Sequence, residues 1–165
     1  MSVDVGLLAV LEKSVSPVQQ ELEAAQHFLE KAAEADLVGL LRQLSDVLCN
    51  AECSPVVWVQ AGLQLKNALY SKDANIKSVY KQRWLQLTPD ARQYTKKNCL
   101  AALGIETTAN SSAAQCVAYI ACAELPAMQW PDLMNHLFEN VVTARSSEVC
   151  KHATFETIGY ICQTF

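Results

Sequence analysis

The chain has 165 residues, 51% of them hydrophobic, and its 13 basic and 17 acidic side chains give a formal net charge of −4. This length is enough for one domain with a substantial core. The longest nearly uncharged stretch, about 106–124, is too short and too often interrupted by Thr, Asn and Ser to span a bilayer, and no basic-then-apolar signal opens the chain. We therefore expect a soluble intracellular protein that does not insert into membranes.

Signals for helix starts recur along the chain. Ser16, Ser54 and Thr88 each stand directly before a proline, and a long helix-compatible run follows each pair. The hydroxyl can accept a hydrogen bond from a free backbone N–H, and proline at the first helical position loses no bond. Each pair therefore predicts the start of a helix.

Three further features locate helix starts. Capping boxes are predicted at Ser16 with Gln19 and at Ser112 with Gln115, where the two side chains would satisfy each other's backbone donors. Another helix is predicted to begin at 130–132 (Trp-Pro-Asp) without a hydroxyl cap.

The apolar periodicity predicts nine helices and no strands. They cover 5–13, 17–32, 36–49, 55–71, 74–86, 89–103, 112–125, 131–142 and 147–162. The starts marked by the helix-opening signals recur mostly at roughly 35–40 residues, which is the length of one two-helix repeat in a solenoid. We predict an all-α fold, an α–α superhelix of about four hairpins with one short extra helix. It forms one array over 1–165, with pairs at 1–33, 34–72, 87–126 and 130–163 and the extra helix at 74–86.

Side-chain patterns predict which helices are interior. The first two helices are expected to bury one stripe each, namely Val5, Leu8 and Leu11, then Val18, Leu22, Ala25, Phe28 and Leu29. Helix 113–125 is small or apolar all round except at Gln115 and Glu124, so it must be covered on several sides. Gly104 is expected to stop the preceding helix. No polar capping repeat follows the apolar run 158–162, so we expect a truncated part of a longer solenoid.

Nothing in the sequence indicates catalysis, a cofactor or a metal. The histidines at 27, 136 and 152 lie in separate predicted helices, and the glycines form no phosphate-binding loop. The seven cysteines include no C-x-x-C pair and lie mostly among apolar residues, as free buried thiols do in reducing compartments. We expect no enzyme activity.

Charge is unevenly distributed. Residues 1–65 hold three basic and nine acidic side chains, 66–97 hold eight and two, and 98–165 hold two and six. The central cationic band is either a solvated face or a docking patch for an acidic protein. Nucleic acid is a poorer fit, because the acidic flanks would repel phosphate.

Several blocks of sequence resemble the N-terminal end of importin beta, the HEAT-repeat nuclear import receptor. The blocks are 11–17, 21–26, 61–67, 82–85, 111–118, 120–124 and 158–163. The resemblance implies a HEAT-repeat solenoid whose second helices line a concave surface and bind the GTP form of the small GTPase Ran. It further implies that importin alpha or cargo, and nucleoporins, bind later repeats. Such a receptor shuttles between cytoplasm and nucleus and is found at the nuclear envelope.

By position, the resemblance places the Ran-contact candidates at Lys66, Asn67 and Lys72. The cationic band begins at the first of them, so the two interpretations meet. Each residue also has a structural interpretation: Lys66 could extend along apolar surface, Asn67 could cap a helix end, and Lys72 could complement a helix dipole.

Two alternatives stay open. Trp58, Trp84 and Trp130 are expected to be packing anchors between repeats; the four-residue spacing of Tyr80 and Trp84 fits an apolar helical stripe better than a pocket for a nucleoporin phenylalanine. The chain could also be a HEAT scaffold that assembles another kind of protein complex. Dependence of binding on the GTPase's nucleotide discriminates the two functions.

Overall fold

A computed structural model describes residues 4–105 and 111–165, and all regular structure within these ranges is helical. The helices are α1 (Val5–Lys13), α2 (Gln19–Ala35), α3 (Leu37–Leu48), α4 (Pro55–Leu69), α5 (Ala74–Leu85), α6 (Pro89–Ala102), α7 (Ser112–Glu124), α8 (Leu133–Val142) and α9 (Glu148–Thr164). Each predicted helix is present, with ends that agree to within one helical turn. In the part of the chain described, no helix combines the length and apolarity that a membrane crossing requires.

The helix starts predicted at two Ser/Thr-Pro pairs are confirmed. Ser54 accepts a hydrogen bond from the N–H of Val57 at 3.4 Å, and Thr88 accepts one from the N–H of Ala91 at 3.4 Å. In both helices proline stands in the first turn. The last predicted start, without a hydroxyl cap, is also confirmed: α8 follows Asp132, whose side chain forms no capping hydrogen bond.

The capping box predicted at Ser16 is wrong. Helix α2 begins at Gln19, and Val18 is its N-cap. The Ser16 hydroxyl accepts from the Val18 N–H at 3.1 Å and donates to Glu21 at 2.6 Å. Gln19 donates instead to Glu23 at 2.7 Å. The nearby carboxylates compete for the groups that the capping box would have used.

The cap predicted at Ser112 lies one residue earlier. Ser111 accepts from the Ala114 N–H at 3.0 Å, and Ser112 is the first helical residue. The Gln115 amide donates to the Tyr160 hydroxyl at 3.4 Å on a neighbouring helix. Because two adjacent serines are equivalent N-caps, tertiary packing decides between them.

The predicted inner faces of the first two helices are partly wrong. Val5, Val18 and Phe28 are 79%, 51% and 48% exposed. The short helix α1 buries Leu11, as predicted, and Leu7, which was not predicted. Since these helices lie at the edge of the described fold, part of each apolar stripe has no neighbour to cover it.

The helices pack as two layers of stacked hairpins. The hairpin partners are α1 with α2, α3 with α4, α6 with α7, and α8 with α9. The second helices α4, α7 and α9 lie side by side, and the first helices α3 and α6 do the same. In the first hairpin α1 packs on α4 and α2 on α3, while α5 lies across α4 and α7. The predicted fold class of stacked helix hairpins is confirmed, and the bounds given for the repeats stay a prediction.

One continuous cluster of buried side chains runs from α1 to α9. Helix α7 is its centre, with 10 of its 13 residues buried. This confirms the expectation that a helix with small or apolar residues all round is covered on several sides. Trp58, Trp84 and Trp130 are all buried, as expected of packing anchors.

Helices α4 and α7 approach each other closely at Gly62. A Cβ atom at this position would lie 2.1 Å from the Ser112 Oγ and 2.5 Å from its Cβ. The Cys116 thiol donates to the Gly62 carbonyl oxygen at 3.6 Å. Glycine is therefore required here because the Ser112 side chain of α7 occupies the space that a Cβ would need.

We predict that Gly62→Ala destabilises the protein by about 2 kcal/mol, because the methyl group forces α4 and α7 apart. The matched control is Gly159→Ala in α9, where nothing lies within 4 Å of the added Cβ. That variant should gain about 0.5–1 kcal/mol from reduced backbone entropy. Urea unfolding of both variants measures the difference, and equal free energies of unfolding would contradict the close packing.

Candidate partner-binding site

The last turn of α4 presents two polar side chains, Lys66 and Asn67, to one surface. Leu65 and Leu69 point into the core and are 0% and 7% exposed. Lys66 and Asn67 lie between them on the other side of the helix, as 3.6-residue periodicity requires. Tyr70 ends the helix in an extended conformation with φ −142° and ψ 145°.

The three residues proposed from the sequence lie together. We call the depression they line the α4–α5–α7 groove; it has a volume of about 380 Å³. Its lining residues are Lys66, Asn67, Tyr70, Ser71, Lys72, Ile76, Tyr80 and Tyr119. The turn after α4 brings Lys72 back towards Lys66, and α5 and α7 supply the walls.

A second groove continues from the first towards the start of the chain. It has a volume of about 360 Å³ and shares Asn67 and Tyr80 with the α4–α5–α7 groove. Its far wall is α2, which contributes Gln26 and Glu30. The two grooves adjoin at Asn67 and Tyr80, and together they are lined by α2, α3, α4, α5 and α7.

The short helix α5 is fixed at both ends. Asp73 caps its start and accepts from the Ile76 N–H at 3.1 Å. Near its other end Arg83 donates to the Ala68 carbonyl oxygen at 2.6 Å and lies 4.2 Å from the centre of the Tyr80 ring. One cation therefore satisfies the last turn of α4 and joins it to α5.

Two lysines of the groove have no charged partner. Within 4–105 and 111–165, neither Lys66 nor Lys72 forms an ion pair with a carboxylate. Lys77 lies 5.4 Å from the centre of the Tyr70 ring, a cation–π contact. Asn67 does not stand at the end of α4, because the C-cap position is Tyr70. The surface is cationic and open to solvent.

An aromatic pair forms the floor of the groove beside these cations. The rings of Tyr70 and Tyr119 stack with their centres 4.1 Å apart and their planes at 9°. Burial raises the pKa of the Tyr119 phenol, and Tyr70 and Tyr160 add to the effect. Sequence reasoning missed this pair, because its members are far apart in the chain. The only signal in the sequence was that Tyr119 is the one aromatic residue of this helix.

Two basic residues of the cationic band, Arg92 and Lys96, are buried. Arg92 and Lys96 pair with Glu124 at 2.9 Å and 2.6 Å, and the carboxylate is fully buried. Trp84 donates its indole N–H to the same carboxylate at 3.0 Å, and Lys96 lies over the Trp130 ring. We call this set the Glu124 cluster. The interpretation of 66–97 as one exposed docking patch is therefore wrong for Arg92 and Lys96, which belong to the core.

We predict that Glu124→Gln destabilises the protein by about 3 kcal/mol, because two buried cations lose their counter-charge. The control is Glu148→Gln. The Glu148 side chain is 93% exposed, so this variant removes an ion pair to Lys151 at the surface. That change should cost less than about 0.5 kcal/mol. Urea unfolding measures both values, and similar losses for the two variants would show that the Glu124 cluster contributes no special stability.

Two of the cysteines, Cys49 and Cys99, are structural. Burial raises the pKa of the Cys49 thiol to about 11 and that of the Cys99 thiol well above its usual range. Both thiols are protonated at neutral pH and are weak nucleophiles. Among residues 4–105 and 111–165, no three His, Cys, Asp or Glu side chains form a metal-binding group.

Comparison with known proteins completes the description of the site. The stacked hairpins with two helix layers define an α-solenoid of the HEAT-repeat class. No protein-family model matches the chain. Importin subunit beta-1 of Schizosaccharomyces pombe is 38% identical over 155 residues, which cover 93% of this chain and 18% of that protein.

Solved structures agree with this relationship. Yeast importin-beta (Kap95p) gives a TM-score of 0.90 at 34% identity over 99% of this chain and 19% of that one. A structure in which Kap95p binding induces the switch loops of RanGDP to adopt the GTP-bound conformation gives a TM-score of 0.89 at 34% identity, with the same coverage. The chain is homologous to importin subunit beta-1 over most of its own length, and it spans about a fifth of the length of these relatives.

Proposed function

We propose that this chain is the segment of a nuclear import receptor that binds the small GTPase Ran in its GTP form. The observation that carries the proposal is the α4–α5–α7 groove, where Lys66, Asn67 and Lys72 line one surface. The proposal is supported by a solved relative of the same fold, Kap95p, whose binding acts on the switch loops of Ran.

Charge gives the proposed contact its speed and its register. Lys66 and Lys72 are unpaired within the described ranges, and Lys77 and Lys81 on α5 lie next along the band. Such a surface attracts an acidic partner and orients it before contact, which raises the association rate. Asn67 can donate to and accept from the partner's backbone.

The proposed regulation follows from a solenoid's flexibility. Binding of GTP-loaded Ran to these repeats favours a different curvature of the whole receptor, and the changed curvature releases cargo. Importin alpha or cargo and nucleoporins bind other repeats. The receptor moves between cytoplasm and nucleus through the nuclear pore, which lies in the nuclear envelope.

We predict that the double variant Lys66→Glu with Lys72→Glu weakens binding of GTP-loaded Ran about 10- to 100-fold at low salt, mainly through slower association. The slope of log affinity against log salt should also decrease, because fewer charge pairs form. Biolayer interferometry at several salt concentrations measures both quantities. The matched control, Lys97→Glu with Arg145→Glu, changes the net charge equally at exposed positions outside the groove.

The control variant and the nucleotide decide the interpretation. If the two double variants lose affinity for GTP-loaded Ran equally, Lys66 and Lys72 are not part of the binding site. The unaltered chain should bind GTP-loaded Ran at least about 10-fold more tightly than GDP-loaded Ran, a coupling of ordinary size. Equal affinity for the two forms would favour a general HEAT-repeat scaffold.

A further inference from the structure

The side chains of α7 that are partly open to solvent lie along a single stripe. Ser112, Gln115 and Tyr119 are its only half-buried residues, and the other ten are buried. Their spacing of three and then four residues places them on one face of the helix. This face lies in the layer of second helices, between α4 and α9.

Tyrosines from three successive second-layer helices meet along this face. Tyr70 ends α4, Tyr119 lies in α7, and Tyr160 lies in α9. The first two stack, and Gln115 joins the stripe to the third through a 3.4 Å hydrogen bond to its hydroxyl. We call Tyr70, Tyr119 and Tyr160 the tyrosine row.

The row is built as a contact surface and not as core. All three side chains are half-buried, whereas a tyrosine inside the core would be covered. The hydroxyls of Tyr70 and Tyr119 form no hydrogen bond with other residues in the described ranges, although a buried hydroxyl would need a partner. Rigid aromatic side chains with a free polar tip are the usual centres of binding energy in interfaces.

Cations border the row on its α4 and α5 side. Lys66 and Lys72 share its groove, and Lys77 lies over the Tyr70 ring. The carboxylate of Asp73, in the turn after α4, accepts from backbone N–H groups at the start of α5. The surface therefore combines an apolar aromatic centre with a positive rim, and it complements an apolar side chain flanked by carboxylates.

We propose that the tyrosine row is the apolar centre of the contact with the GTPase and receives such a segment from its nucleotide-sensitive surface. The inference rests on the proposed function, because the row continues the groove that contains Lys66 and Lys72. It adds Tyr70, Tyr119 and Tyr160 to the binding residues. It also divides their roles: the lysines set the association rate, and the tyrosines set the lifetime of the complex.

The test measures binding of GTP-loaded Ran to Tyr119→Ala, Tyr119→Phe and the unaltered chain, at low and high salt. Tyr119→Ala should bind about 30-fold more weakly, through faster dissociation, and by the same factor at both salt concentrations. Tyr119→Phe keeps the stack and should stay within about 3-fold. The matched control is Phe138→Ala in α8, an exposed aromatic outside the row, which should change affinity less than about 2-fold.

Circular dichroism and urea unfolding establish that each variant is folded. If Tyr119→Ala does not fold, Tyr70→Ala replaces it, because Tyr70 lies beyond the end of α4 and its removal leaves α7 intact. A chain that prefers GTP-loaded Ran but is unaffected by either alanine variant overturns this inference and leaves the proposed function standing. A chain that shows no preference for GTP-loaded Ran overturns both.

Discussion

The fold depends on one buried carboxylate. Glu124 is fully buried at the end of α7, and a charge in that position is tolerated only when it is paired and hydrogen-bonded. Its partners come from α5 and α6, so satisfying it fixes both helices against α7. The short helix α5, which has no hairpin partner, is held at this end by Trp84. The position of α5 in turn creates one wall of the α4–α5–α7 groove.

This arrangement divides the basic residues of the central segment into two sets. Arg92 and Lys96 neutralise Glu124 in the core, and Arg83 bonds to the end of α4. Lys66 and Lys72 are left at the surface, where they border the tyrosine row. A solenoid has no deep cavity in which to build a site, so its function lies in the side chains that successive repeats place on one layer. The same close packing at Gly62 that joins α4 to α7 brings Tyr70 and Tyr119 into contact.

The sequence predicted the helices well and the site only in part. Helix starts with proline were correct at Ser54 and Thr88, because fixed φ and a hydroxyl cap act locally. The capping boxes predicted at Ser16 and Ser112 were wrong. Near Ser16, carboxylates offer competing hydrogen bonds, and at Ser112 the adjacent Ser111 is an equivalent cap that tertiary packing selects. The cationic band could not be divided into buried and exposed residues from the sequence. Nothing in the local sequence distinguishes Lys66 from Lys96, whose partner Glu124 lies 28 residues further along the chain. The tyrosine stack required three-dimensional placement of residues 49 positions apart.

Glu124 holds α5 in place through Trp84, and the variant Trp84→Phe is the sharpest test of this claim. The change keeps the ring in the core but removes the N–H that donates to the carboxylate. Hydrogen–deuterium exchange should show amides of Ala74–Leu85 exchanging about 10- to 100-fold faster, as expected for loss of a hydrogen bond to a charged group, with α3 unchanged. Unchanged protection in α5, or an equal loss in every helix, would contradict the claim.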